Sequence, residues 1–168
     1  IRDRYSVGGA RYHMFGTYLT GFANCVDSLA VIKKLVFEDK LYTLEQIAEA
    51  TRTNFEGNEQ LRQYAMNRVP KFGNDNGYVD SIAVRLLDDF TSIIERLRTT
   101  EAKGLILGEG IAPFEFFAKW GHDVGASADG RKSQEPVASN FSPAHGADAM
   151  GPTATIRSIT AADLRAYM

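Results

Sequence analysis

Between Tyr78 and Arg98 the sequence carries a long amphipathic pattern that constrains everything around it. Ile82, Leu86, Phe90, Ile93 and Leu97 recur on one helical face, and Val79, Ala83, Leu87 and Ile94 widen that face. A helix draws most of its stability from packing such a stripe against other elements, so the chain must supply partners. They lie upstream. Val26, Leu29, Ala30, Ile32, Val36 and Phe37 keep helical spacing from Asn24 to about Glu38, with Asp27 suited to the first turn. Thr43-Leu44-Glu45-Gln46 has capping-box order and predicts a helix to about Thr51 that buries Leu44, Ile47 and Ala48. A third helix is predicted over Glu59 to Asn67, with Leu61, Tyr64 and Ala65 inward, and Pro70 to Gly77 is a loop on turn chemistry.

The remaining stretches have a different character. Residues 1–22 mix aromatic and large aliphatic side chains with glycines and read as extended or looped, while Gly104 to Gly108 reads as a short buried strand or turn. Pro113 suits the first turn of a helix through Lys119, with Gly121 closing it. From Gly125 to Gly151 glycine, serine, alanine and proline dominate, so irregular structure is expected. Thr153 to Ile159 forms a strand or a helix, and Thr160 to Asp163 opens a further helix. Ordering such a tract costs roughly 1–2 kcal/mol per residue, and its loops bury little to offset that. The expected organisation is a helical layer over about 1–100 and a loop-rich part over about 101–168 that packs on other segments.

Charge and cysteine content narrow the function. A formal charge of −2, with basic runs no longer than Lys33-Lys34 or Arg131-Lys132, argues against nucleic acid. No apolar run reaches the length of a membrane span, and Ile1-Arg2-Asp3-Arg4 does not open an export signal, so a cytoplasmic location is expected. The first residue is Ile rather than Met, which suggests a piece of something longer. The lone Cys25 excludes an internal disulfide, and His13, His122 and His145 are too widely spaced to form a metal site, so no metal is expected. Gly121, Gly125 and Gly130 match neither a dinucleotide nor a P-loop spacing.

Five residues stand out as loop or pocket candidates. In Gly125-Ala126-Ser127-Ala128-Asp129-Gly130-Arg131, permissive backbone sits beside an acid and a base, Asp129 and Arg131. The pair either closes a local ion pair within a turn or ties the loop to other polypeptide. Gly125 is the position where backbone can approach closely. His122 beside Asp123 is either a tuned proton donor or a surface residue, and His13 is either a substrate-facing group or a hydrogen-bonded core histidine. Phe114, Phe116, Phe117 and Trp120 are expected to pack into the core, the other reading being an apolar pocket wall. Cys25 is expected to be buried and structural, although a helix N-terminus would favour thiolate.

Several stretches together resemble the glycyl radical enzymes of the pyruvate formate-lyase type. They are Gly9-Ala10-Arg11-Tyr12, Asp27 to Glu38, Asn54-Phe55-Glu56-Gly57, Pro70 to Asp75 with Tyr78-Val79-Asp80, Gly125 to Arg131, Glu135-Pro136, Ser142-Pro143 and Gly151-Pro152-Thr153-Ala154. They occur in the family's order and span nearly the whole chain. Ala128 departs from the pattern, standing where the family commonly has proline.

The resemblance implies an α/β fold, part of a ten-stranded α/β barrel, here as a piece rich in helices and long loops. It implies a lyase in which a glycine-centred radical passes to a cysteine that abstracts hydrogen from a small organic substrate. That substrate then loses water, carbon dioxide, an amine, sulfite or another group. It further implies a radical-SAM activating enzyme as partner, no directly bound cofactor, and a homodimer at full length. The family's cysteine stretch, Gly-Cys-x-Glu, and its radical stretch, Arg-Val-x-Gly-Tyr, do not occur in these residues. By family order one precedes Ile1 and the other follows Met168, so the chain is expected to be inactive alone. The alternative is a non-catalytic structural or interaction module that keeps the family's packing residues.

Overall fold

A computed structural model describes residues 14–100, 106–110 and 116–164. Strand β1 (Met14–Tyr18) leads into helix α1 (Phe22–Ile32), whose last turns widen into a π-helical segment, Lys33–Glu38. The widening shows in the Asp39 amide donating to the Lys34 carbonyl at 2.8 Å, a five-residue step. The Leu35 carbonyl then accepts from both Leu41 and Tyr42 and ends the helix. The helix expected from Asn24 to Glu38 is therefore present, starting two residues earlier. Asp27 is not in its first turn but one turn further in, on the buried side.

Helix α2 (Leu44–Arg52) starts on the capping box that its sequence announces. The Gln46 amide donates to Thr43 Oγ1 at 3.2 Å, and the Thr43 amide donates to Gln46 Oε1 at 2.8 Å. Its buried residues are Ile47 and Ala50, whereas Leu44 is exposed and Ala48 half-buried, which corrects the expected inward set. Helical side chains lean toward the N-terminus, so Leu44 in the first turn points past the packed surface. Helix α3 (Glu59–Asn67) buries Leu61 and Ala65, with Tyr64 half-buried.

Helix α4 (Gly77–Thr100) packs on α1. Its buried line is Val79, Ala83, Leu87 and Ile94, together with Asp80. Ile82 and Leu86 are only partly buried and Ile93 is exposed, so the stripe turns its expected flank inward. Small buried residues in the two helices, Ala23, Ala30 and Ala83, allow closer approach than a Leu–Ile seam would.

Beyond α4, strand β2 (Ile106–Gly110) pairs in parallel with β1, with Met14 opposite Ile106 and Tyr18 opposite Gly110. Parallel pairing requires a crossover, and α1 to α4 form it. Helix α5 (Phe116–Asp123) follows and continues through Gly121 instead of ending there. From Val124 to Gly151 the chain is irregular, as its composition predicts. Helix α6 (Pro152–Thr160), with Pro152 in its first turn, resolves the strand-or-helix alternative. Thr160, where a further helix is expected to open, is the last residue of α6; the chain turns over residues 161–163, Leu164 is in 3₁₀ conformation, and the rest of that expected helix lies outside the described residues. Pro113 lies outside the described residues.

The loop-rich part has little core of its own and joins the helical one. Phe141 lies 4.9 Å from the Phe22 ring and 5.5 Å from the Phe72 ring, and Phe22 and Phe72 meet edge-on at 5.9 Å. Ala128 and Ala138 belong to the same core. Phe72 has no exposed surface at the centre of this cluster. Its replacement by alanine is expected to destabilise the protein by about 3–5 kcal/mol, read as a lowered urea midpoint. An unchanged midpoint would show that the aromatic junction does not hold the two parts together.

Candidate functional site

The residues from Gly125 to Arg131 form a tight loop. The Gly130 amide donates to the Ser127 carbonyl and the Ser127 amide to the Arg131 carbonyl, each at 3.0 Å. Gly130 has φ 100°, so this position favours glycine for its conformation, and a Cβ there would push the Met66 side chain aside.

Asp129 and Arg131 are both buried, yet they do not form the side-chain ion pair that their spacing suggests. Each binds something else. The Asp129 carboxylate accepts from Asn24 Nδ2 at 2.6 Å, from Ser127 Oγ at 2.5 Å and from the Arg131 amide at 3.3 Å. The Arg131 guanidinium donates to the carbonyls of Glu135 (2.8 Å), Lys132 (3.0 Å), Gly121 (3.5 Å) and Gly125. A fixed fork of donors suits it to gathering several carbonyls, and a buried charge left without them would be costly.

Other elements hold the loop from outside. The Asp129 amide donates to Ser28 Oγ of α1 at 3.2 Å, Lys71 Nζ donates to the Asp129 carbonyl at 3.0 Å, and Arg62 Nε of α3 donates to the Gly130 carbonyl at 2.9 Å. Asn24 bonds two ways, since its Oδ1 also accepts from the Ala138 amide at 2.6 Å. Sequence reasoning missed Asn24, Arg62 and Lys71. The one signal for Asn24 is an amide among apolar neighbours near the start of α1.

Behind the loop sits a buried acid. Asp27 is 1% exposed; its Oδ1 accepts from the Phe72 amide at 2.8 Å, and its Oδ2 has no hydrogen-bond partner. Burial pushes its carboxyl up to about 7, against the pull of Lys71 and the Phe72 amide, and the Asp129 charge adds to the rise. Burial lowers the Lys71 ammonium, while Asp27 and Asp129 oppose that shift.

On its solvent side the loop borders an open cleft of about 500 Å³ lined by Cys25, Ser28, Trp120, Val124, Val137 and Arg131, among others. Cys25 opens toward this cleft, contrary to the expected burial, because the residues on either side of it hold the inward face of α1. Partial burial first, and the charge of Asp129 second, push its thiol up from 9, which disfavours a reactive thiolate.

The aromatic patch also departs from expectation. Phe116 and Trp120 stack at 5.7 Å and remain exposed, while Phe117 is half-buried 5.5 Å from the His145 ring. Helix α5 is too short to bury both faces, and Gly121 fixes which face turns inward. A Cβ at Gly121 would lie 2.4 Å from the Glu135 carbonyl oxygen. Phe114 and His13 lie outside the described residues. His122 and Asp123 face each other at 3.6 Å with both side chains exposed, a contact worth little. Gly125 is exposed and contributes a carbonyl to Arg131. Among the described residues no group of three or more acidic, histidine or cysteine side chains is placed to hold a metal, and no helix is long and apolar enough to cross a membrane.

Known enzymes are similar to this chain in sequence and in fold. The chain is 40% identical over 138 residues to the isethionate sulfite-lyase of Oleidesulfovibrio alaskensis, an alignment taking 82% of this chain and 16% of that enzyme. It superposes with a TM-score of 0.83, at 33% identity, on the glycerol-bound B12-independent glycerol dehydratase from Clostridium butyricum, covering 93% of this chain and 20% of the other. A glycyl radical enzyme from Archaeoglobus fulgidus gives a TM-score of 0.83 at 32% identity, covering 96% of this chain and 20% of that one. The class is that of the glycyl radical enzymes. Residues 3–111 match the pyruvate formate lyase-like family, and the chain belongs to that family. It spans about a fifth or less of the length of these relatives.

Two changes separate a built seam from a decorated surface. Asn24→Ala leaves one oxygen of Asp129 without its donor and the Ala138 amide unpaired, with an expected loss of about 2–4 kcal/mol in urea unfolding. His122→Ala is expected to stay within about 0.5 kcal/mol. Equal effects would mean that the Asn24 bonds contribute nothing specific.

Proposed function

We propose that this chain is part of a glycyl radical lyase, in which it forms scaffold around the radical chamber. The observation that carries this reading is the likeness to solved enzymes over 93–96% of the chain at 32–33% identity, which extends well beyond the family match at residues 3–111. The parallel β1–β2 pair supports it: a parallel sheet is normally covered on both faces and continued by further strands, as a barrel wall would be. Exposed apolar side chains such as Leu29, Phe37, Ile93 and Ile156 support it as well, since packing on neighbouring wall segments would bury them.

In this reading the reacting cysteine and the radical glycine are supplied by other residues of the protein, and the 168 residues alone are inactive. Once installed by a radical-SAM activating enzyme, the radical supplies hydrogen abstraction from a small organic substrate that carries a leaving group. This chain's residues shape the wall and exclude water from it. Asp129 and Arg131 act as positioning residues that fix the 125–131 loop, Gly125 offers it a carbonyl, and the exposed Cys25 and His122 take no part in proton transfer. The relatives named above include a sulfite-lyase and a dehydratase, and the reaction class proposed is radical loss of a leaving group, water, carbon dioxide or another, from a small substrate, in a cytoplasmic homodimer.

The test is electron paramagnetic resonance of the intact protein after anaerobic incubation with its activating enzyme, S-adenosylmethionine and a reductant. A glycine-centred signal is expected, lost when the radical glycine is replaced by alanine and absent from the 168-residue polypeptide alone. No signal from the intact protein, with an activator shown to cleave S-adenosylmethionine, would overturn the reading in favour of a non-catalytic module.

A further inference from the structure

Three elements meet at Asp27: α1, which carries it; the loop around Phe72, whose amide it binds; and the 125–131 loop, reached through Lys71 and Asp129. The charged groups facing one another there are Asp27 on α1, Lys71 on the second element and Asp129 on the third. Arg131 directs its guanidinium to carbonyls instead of to either acid. With all three groups ionised the junction holds two negative charges and one positive, and one carboxylate oxygen, Asp27 Oδ2, is buried without a partner.

We propose that Asp27 is a protonation-controlled latch: neutral, it lets Lys71 hold the 125–131 loop closed, and ionised, it competes for Lys71 and loosens that loop. The geometry gives the mechanism. Lys71 Nζ donates to the Asp129 carbonyl, a neutral acceptor. An ionised Asp27 offers a stronger, charge-assisted acceptor to the same ammonium, and drawing Lys71 across satisfies Oδ2 at the expense of the loop. A neutral Asp27 removes the competition and balances Lys71 against Asp129 alone. The proton moves between bulk water and Asp27 Oδ2, with no other bond made or broken.

The direction with pH follows from linkage. The native carboxyl titrates at about 7, above its ordinary 3.8. The native state therefore binds more protons than the unfolded one between those values. The contribution to stability is full below about pH 4 and is lost as pH rises through about 7.

The experiment is amide hydrogen exchange followed by mass spectrometry on the intact protein from pH 5 to 8, corrected for the intrinsic exchange rate. It compares peptides over 70–73 and 125–131 with peptides over α2. In the wild type, protection of the 125–131 peptide is expected to fall by up to about tenfold per pH unit across the native titration, while the 70–73 peptide, whose Phe72 amide binds an ionised Asp27 more strongly, and α2 do not follow it down. Asp27→Asn abolishes the fall. Lys71→Met removes the ammonium that Asp27 and the Asp129 carbonyl compete for, so its 125–131 loop is expected to exchange faster at every pH and without the fall; this variant keeps the test decisive if Asp27→Asn does not fold. A wild type whose loop protection ignores pH, an Asp27→Asn protein that keeps the wild-type dependence, or a Lys71→Met protein that keeps it would each overturn the latch. The glycyl radical signal bears on none of these outcomes, so the latch and the functional reading fail separately.

Discussion

The structure depends on side-chain amides of the helical layer that reach across to backbone of the loop-rich tract. Asn24 accepts from the Ala138 amide and also donates to the Asp129 carboxylate. Asn54 accepts from the Ser133 amide at 2.8 Å. Asn74 donates to the Ala147 carbonyl at 2.7 Å and accepts from the Met150 amide at 3.0 Å. An irregular tract cannot satisfy its own backbone groups as a helix or sheet does. An asparagine, carrying donor and acceptor on one short side chain, can supply both bonds from a neighbouring element.

Apolar burial alone would not define this seam. The Phe22–Phe72–Phe141 cluster and the small residues Ala128 and Ala138 bring the two parts into contact, but a glycine- and serine-rich tract offers few such groups. Hydrophobic contact is non-directional and would tolerate several placements of the loop. The directional bonds remove that freedom. Each is worth only about 0.5–1.5 kcal/mol when made, but leaving a buried partner unsatisfied costs more, so alternatives that break one are excluded more strongly than the native arrangement is favoured.

That division also explains what the sequence made legible. Local signals were read well: the Thr43–Gln46 box, the Glu59–Asn67 helix, the long helix near Tyr78–Arg98 and the irregular 125–151 tract all stand where their residues place them. Which edge of a broad apolar stripe faces inward was not legible, because in α4 small residues on a distant helix decide it. The candidate loop was found from its glycines and its acid and base, but its bonding was not. Asn24 and Asp129 are 105 positions apart and Asn24 and Ala138 are 114 apart, and no local pattern encodes such pairings. Spacing suggested that Asp129 and Arg131 bind each other, whereas burial directs each to the denser supply of partners around it. Cys25 and the exposed Phe116–Trp120 stack were misplaced for a related reason: helical period says that a face exists, and only packing says which neighbour takes it.

A scaffold of this kind must hold a loop in one geometry without a large core beneath it, and the polar seam meets that demand through mutual dependence. Asp129 is bound by Asn24 and Ser127 through its carboxylate and by Ser28 and Lys71 through its backbone. Displacing it breaks contacts to α1 and to the loop before Gly73 together, so local loosening is steeply penalised. The same sharing means that the seam cannot be perfect everywhere: five groups converge on Asp129, and Asp27, one helical turn from Asn24, is left with an oxygen that nothing reaches. Satisfying Asp27 with a further donor would require withdrawing one from the loop. The unpaired oxygen is thus a consequence of how the loop is held.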